Sequence, residues 1–135
     1  MQCLHTLAKA ADAELAEANL NVALARETVA ATRAVVASIE ASRNAMCTAA
    51  MIMGVHNAPR YQGTLLSLEC AFSSAVYVWE YEKANLRMLE SFAKAAAEAS
   101  YSAGMRLINE FRDIVDDIST QHTAAAASAS QQSSS

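Results

Sequence analysis

Apolar residues recur along the first part of the chain at alternating spacings of four and three residues. This spacing is typical of a helix that buries one stripe against a partner helix. No glycine or proline occurs between residues 4 and 53, so we predict one uninterrupted helix over about residues 4–53. The predicted stripe contains Leu4, Ala8, Ala11, Leu15, Ala18, Val22, Ala25, Val29, Thr32, Val36, Ile39, Arg43, Met46, Ala50 and Met53.

A second stripe with the same spacing predicts a helix over about residues 64–118. Gly104 is its one weak point, because glycine within a helix costs about 1 kcal/mol relative to alanine. A small phase shift precedes the last three positions of the stripe. The stripe contains Leu65, Leu68, Phe72, Ala75, Trp79, Glu82, Leu86, Leu89, Ala93, Ala96, Ser100, Ala103, Leu107, Phe111, Ile114 and Ile118.

The stretch between the two helices, residues 54–63, contains the only proline and two of the three glycines. Gly54 is expected to adopt the left-handed conformation that ends a helix, and Pro59 cannot continue the first helix. Thr64 is expected to cap the second helix. We therefore predict a bend at residues 54–63 that reverses the chain.

These elements predict an all-α fold, a long antiparallel two-helix hairpin of the coiled-coil type over residues 1–118. Residues 119–135 contain no large apolar residue and are expected to form a disordered tail. The hairpin has a thin, alanine-rich core, and the outer side of its first helix is also poor in charge. We therefore expect it to complete a four-helix bundle by self-association. The predicted interface residues are Leu20, Leu24, Ala34, Ala41, Tyr77 and Tyr81.

Charge and cysteine usage restrict the partners and the compartment. The net charge is −4 and no basic stripe occurs, which argues against nucleic-acid binding. No apolar run is long enough for a transmembrane helix, and the start lacks the features of a Sec signal peptide. Three cysteines at unpatterned spacing fit a reducing compartment, although Cys47 and Cys70 face each other across the predicted hairpin and a disulfide between them stays open. We expect a cytoplasmic protein, with export independent of a Sec signal as the alternative.

No pattern of residues indicates catalysis or a bound cofactor. His5, His56 and His122 lack the spacing of metal ligands, and no nucleophile motif or glycine-rich phosphate loop is present. Two acids, Glu82 on the second stripe and Glu110 beside it, are interpreted as structural, since long side chains reach past a buried stripe to water. We expect a protein that is not an enzyme and has no metal site and no cofactor.

Two resemblances suggest alternatives to a self-assembling scaffold, filament or adaptor subunit. Tyr61-Gln62-Gly63 resembles the Trp-x-Gly turn of small helical hairpins exported by type VII secretion, with tyrosine in place of tryptophan and with longer helices. This resemblance implies a secreted or chaperone-bound hairpin that needs a different helical protein as its partner. The alanine-rich amphipathic helices resemble phasins in composition, which implies a protein that coats lipid or granule surfaces.

Overall fold

A computed structural model describes residues 2–133 and contains two α-helices, α1 (Gln2–Met53) and α2 (Pro59–Ser133). Arg26 contacts Glu90 and Arg43 contacts Phe72, so positions later in α1 meet positions earlier in α2. The two helices are therefore antiparallel, and the predicted all-α hairpin is confirmed. The chain divides into two compact units. We call Ala18–Ala93 the bend unit, and the residues up to Glu17 together with those from Lys94 onward the terminal unit.

The predicted stripe of α1 is the side of that helix that the structure covers. Every stripe residue from Leu4 to Ala50 is buried or half-buried, whereas Met53 is 72% exposed. Outside the stripe, Cys47 is the one half-buried residue between residues 3 and 53. The most deeply buried side chains are small or medium in size: Val22, Ala25, Val36 and Ala50. Burying such side chains removes little area from water, so the core is thin.

The predicted stripe of α2 is half-buried at every position from Leu65 to Leu107. Its last three positions differ, because Phe111 is 55%, Ile114 38% and Ile118 61% exposed. In the terminal unit Ser100 donates a hydrogen bond to the Asp12 carboxylate. Since the helices are antiparallel, α2 runs past the described part of α1 about three turns after that contact. The periodicity of α2 continues beyond the region that α1 covers.

The polar residues on the buried stripes of the bend unit are accommodated locally. The guanidinium carbon of Arg43 lies 4.8 Å from the centre of the Phe72 ring, a favourable contact between a cation and an aromatic face. The Thr32 hydroxyl lies 3.0 Å from the carbonyl oxygens of Thr28 and Val29, one turn earlier in its own helix. Neither residue needs a partner from outside the hairpin.

The bend is shorter than the sequence predicts. Gly54 has φ +70°, as predicted, and its N–H donates to the Met51 carbonyl at 3.2 Å. The N–H of Val55 donates to the Ala50 carbonyl at 3.0 Å, which completes the Schellman pattern at the end of α1. The second helix then begins at Pro59, because proline at a first helical position has a suitable φ and lacks an N–H that would be unpaired there anyway.

The later start of α2 that the sequence predicts, at Thr64, is therefore wrong. The Thr64 hydroxyl donates to the Arg60 carbonyl at 3.0 Å, so this residue bonds back within α2 and does not cap it. The other end of α2 also differs from expectation. The structure continues the helix through residues 119–133, where the sequence predicts a disordered tail; residues 134 and 135 lie outside the described range. This segment is rich in alanine and free of glycine and proline, a composition that favours helix without any packing.

Gly54 and Gly104 differ in the backbone conformation that they adopt, which predicts opposite effects of the same substitution. Gly54→Ala is expected to lower the free energy of unfolding by about 1 kcal/mol, because alanine is strained at positive φ. Gly104→Ala is the matched control and is expected to raise it by about 1 kcal/mol, because Gly104 is helical and an added Cβ meets no atom within 4 Å. Urea denaturation at one protein concentration measures both. Equal effects of the two substitutions would contradict the assignment of Gly54 as the helix stop.

Candidate protein–protein interface

The bend unit exposes a stripe of mostly large apolar residues along α2. We call it the α2 outer stripe, and its residues follow one another at alternating spacings of four and seven, which places them on one side of a helix. It consists of Leu66, Cys70, Tyr77, Tyr81, Met88 and Phe92. Tyr77 is 74%, Tyr81 65% and Phe92 58% exposed. No charged residue between 64 and 92 falls on this stripe, so the surface is aromatic and uncharged, as contact surfaces often are.

The outer side of α1 in the bend unit forms a second exposed surface of different character. It contains four of the predicted interface residues, and we call them the α1 outer face: Leu20, Leu24, Ala34 and Ala41. Leu20 is 59% and Leu24 52% exposed. Small residues such as Ala34 and Ala41 let another helix approach closely. This surface therefore suits close helix–helix packing, whereas the α2 outer stripe presents large aromatic side chains.

The structure does not bring the six predicted interface residues into one patch. Leu24 and Tyr77 each lie about half a turn from the buried stripe of their own helix. Each helix turns its stripe toward the other, so the two outer surfaces point away from each other. The bend unit therefore presents two separate faces. The sequence alone does not show whether the six residues form one interface or two.

A third surface, a groove between the helices, is missed by the sequence analysis. It has a volume of about 440 Å³, and we call it the arginine groove. Its lining residues are Arg26, Val29, Ala30, Arg33, Ala34, Ala37 and Leu86. Arg26 also approaches Glu90, with 3.7 Å between Nη2 and Oε2. The one available signal is that Arg26 and Arg33 are seven residues apart on a helix with few other cations.

Charged residues of α2 are concentrated on one flank of the bend unit. Lys83 Nζ lies 2.8 Å from Glu80 Oε1 and 3.8 Å from the centre of the Trp79 ring. The ammonium group thus covers the face of the largest aromatic residue on the buried stripe while it pairs with an acid one turn away. These contacts lie on the flank of the hairpin. They are separate from the α2 outer stripe, which carries no charged residue.

The three cysteines are free thiols, so the disulfide left open between Cys47 and Cys70 is not formed. Cys3 and Cys70 are exposed, and Cys47 is half-buried. A side-chain hydrogen bond with Cys47 raises the pKa of the Tyr61 phenol above its ordinary value. Burial of the phenol and the negative charges of Cys47 and Glu69 raise this pKa further. Tyr61 and Cys47 thereby join the two helices beside the bend.

The residues that resemble a type VII turn motif do not form the turn. Tyr61, Gln62 and Gly63 all lie within the first turns of α2. The Gln62 side-chain amide donates to the His56 carbonyl at 2.6 Å and so ties α2 back to the bend. The chain reversal is made by residues 54–58, before the motif begins.

Neither a cluster of metal ligands nor a helix able to cross a membrane occurs among the described residues. Among residues 2–133, no group of three or more His, Cys, Asp or Glu residues is placed to hold a metal ion. Neither helix, over the same range, is long and apolar enough at once to cross a membrane.

Comparison with known proteins gives no family assignment. No family model matches the chain, and neither a curated protein nor a solved structure is significantly similar to it. The surfaces of the two units are therefore the basis for inferring a function.

The contact between Tyr61 and Cys47 predicts a change in tyrosine ionisation. Cys47→Ala is expected to lower the pKa of Tyr61 toward that of a free tyrosine, because the largest cause of its elevation is removed. Since the folded-state pKa is raised, the associated stability is present below the unfolded-state pKa and is lost as the pH rises through the folded-state pKa. NMR titration of labelled tyrosine rings, assigned with Tyr61→Phe, measures the shift. Cys70→Ala is the control, and an equal response to both alanine variants would rule out the contact.

Proposed function

We propose that this chain is a non-enzymatic structural protein that self-assembles by helix packing, as a subunit of a scaffold, a filament or an adaptor complex. The observation that carries the proposal is the amount of surface that the folded chain leaves open. Its accessible surface is 9788 Å² for a mass of 14.4 kDa. A compact monomer of that mass exposes about 6,800 Å².

The difference, about 3,000 Å², is large on the scale of protein interfaces. A stable complex needs about 800 Å² from each partner. Much of the open surface is apolar and organised, since the α2 outer stripe and the α1 outer face carry large apolar side chains such as Leu24, Tyr77 and Tyr81. Exposed apolar side chains that share one side of a helix are typical of interaction sites.

The two faces of the bend unit support two levels of assembly. Two copies that pair through their α1 outer faces in an isologous contact form an antiparallel four-helix bundle, with small residues such as Ala34 and Ala41 allowing coiled-coil packing. The α2 outer stripes then stay open on the outside of the bundle. Contacts through those stripes join bundles to one another, which extends the dimer into a larger assembly.

In the proposed role the chain catalyses no reaction and resides in a reducing compartment. The arginine groove and the outer faces carry no arrangement of nucleophile, base and oxyanion donor that catalysis would use. Three free thiols, two of them exposed, fit a cytoplasmic protein better than one that matures in an oxidising compartment.

The α1 outer face predicts that one added charge prevents pairing. Leu24→Glu is expected to convert the wild-type dimer into a monomer, because pairing would then bury a carboxylate without a partner. Leu24 is 52% exposed, so the hairpin itself is expected to stay helical by circular dichroism. Light scattering after size exclusion, over a range of concentrations, measures the mass.

The matched control is Glu98→Ala, which changes an exposed charged residue outside both faces and is expected to leave the mass unchanged. A monomeric wild type at every concentration, or a Leu24→Glu variant with wild-type mass, would reject pairing through the α1 outer face.

The α2 outer stripe predicts a separable effect on larger species. Replacing both Tyr77 and Tyr81 with alanine is expected to remove species larger than the dimer and to leave the dimer intact, because the two faces act independently. Sedimentation velocity distinguishes the two species. Loss of the dimer itself in this double variant would show that the stripe, and not the α1 outer face, is the primary contact.

A further inference from the structure

The terminal unit contains an apolar helical segment whose large side chains are exposed. Phe111, Ile114, Val115 and Ile118 are 55%, 38%, 46% and 61% exposed. Their spacing is i, i+3, i+4 and i+7, the pattern by which an amphipathic helix anchors in a groove of another protein. We call residues 110–118 the acidic segment, because it carries four acids, Glu110, Asp113, Asp116 and Asp117, against one base, Arg112.

One flank of the acidic segment carries acids at a defined interval. Glu110 and Asp117 are seven residues apart, so they lie about 10.5 Å apart along the same side of the helix, next to the apolar anchors. Asp113 and Asp116 lie on the far side of the helix from those anchors. When the anchors are buried, the first pair borders the contact and the second pair stays in water.

The arginine groove has matching dimensions and the opposite charge. Arg26 and Arg33 are also seven residues apart on one helix and line the groove together with apolar side chains. The contact of Arg26 with Glu90 is long, 3.7 Å, and solvent-exposed, so it contributes little and is readily replaced. Arg33 forms no ion pair with another residue of the described range. The groove therefore offers an apolar floor and two guanidinium groups at the spacing of the two acids.

We propose that the acidic segment of one copy docks in the arginine groove of a second copy, with Glu110 paired to Arg26 and Asp117 paired to Arg33. This proposal rests on the proposed self-association and names a second contact within it. A two-fold axis makes the contact twice, since each copy supplies one segment and one groove. The charge pairs fix the register of the two chains, while burial of the four anchors supplies most of the affinity.

A second copy is favoured over the same chain as the source of the docked segment. Leu86, which lines the groove, and Phe111, the first anchor, belong to the same uninterrupted helix. The segment cannot enter the groove of its own chain without breaking α2. Charge favours the same occupant, because arginines reject a basic helix and pair with an acidic one.

Charge reversal and restoration test the pairing in the full-length chain. Arg33→Glu and Asp117→Arg are each expected to raise the dissociation constant of the dimer about tenfold at low salt, because each places like charges together at the contact. The double variant, which restores opposite charges, is expected to return to near the wild-type value. Arg60→Glu, an exposed arginine outside the groove, is the control and is expected to have no effect. Sedimentation equilibrium measures all four, and additive losses in the double variant would overturn the pairing.

Cross-linking tests the location of the segment directly. A benzophenone amino acid in place of Phe111 is expected to label residues 26–37 of a different chain, identified by mass spectrometry on mixed unlabelled and ¹⁵N-labelled protein. Labels confined to the same chain, or placed on a second chain only outside residues 26–37, such as on Leu20, Leu24, Ala41 or the α2 outer stripe, would overturn the docking.

The two tests separate this inference from the proposed function. If Leu24→Glu reduces the mass of the dimer but neither charge reversal changes its dissociation constant, the docking is rejected and self-assembly is retained. A wild-type chain that is monomeric at every concentration would reject both. If the dimer forms but the benzophenone labels residues 26–37 of no second chain, the docking is rejected.

Discussion

Each helix of this chain can bury only one stripe against the other, and the rest of the structure follows from that limit. A buried stripe covers about a third of the circumference of a helix. Here the stripes are alanine-rich, and the most deeply buried residues are Val22, Ala25, Val36 and Ala50. Little apolar area is removed from water by such side chains. The remaining faces must either carry charged residues or be buried by another molecule. Two of them, the α1 outer face and the α2 outer stripe, carry almost no charge.

Charge placement decides which faces stay in water. On α2 of the bend unit, charged side chains such as Glu80 and Lys83 occupy one flank and pair with each other there. Exposed pairs of this kind add little stability, but they keep one side of the hairpin hydrated. Because the charge is concentrated on that side, the α2 outer stripe is left uncharged and open. The same division recurs in the acidic segment, where Asp113 and Asp116 lie opposite the apolar anchors.

Local chemistry, not packing, determines the bend and the far end of α2. Gly54 ends α1 through its positive φ, and the N–H groups of Gly54 and Val55 donate back to carbonyls of α1. Pro59, four residues after Val55, begins α2. Residues 111–131 are all exposed, so the helix continues there on intrinsic propensity, helped by its alanines. Apolar residues on this extension, such as Phe111 and Ile118, therefore stay exposed although they continue the periodicity of the buried stripe.

The sequence by itself determined the helical class, the antiparallel hairpin, the buried stripes from Leu4 to Leu107 and the helix stop at Gly54. These features depend on local spacing and on backbone conformation, which a single sequence contains. Only the tertiary structure decided that the outer faces point apart, that Arg26 and Arg33 line a groove, and that the stripe of α2 loses its cover after Glu110. The physical reason is that exposure depends on where the other helix lies and where it ends, and periodicity along one helix contains no information about either.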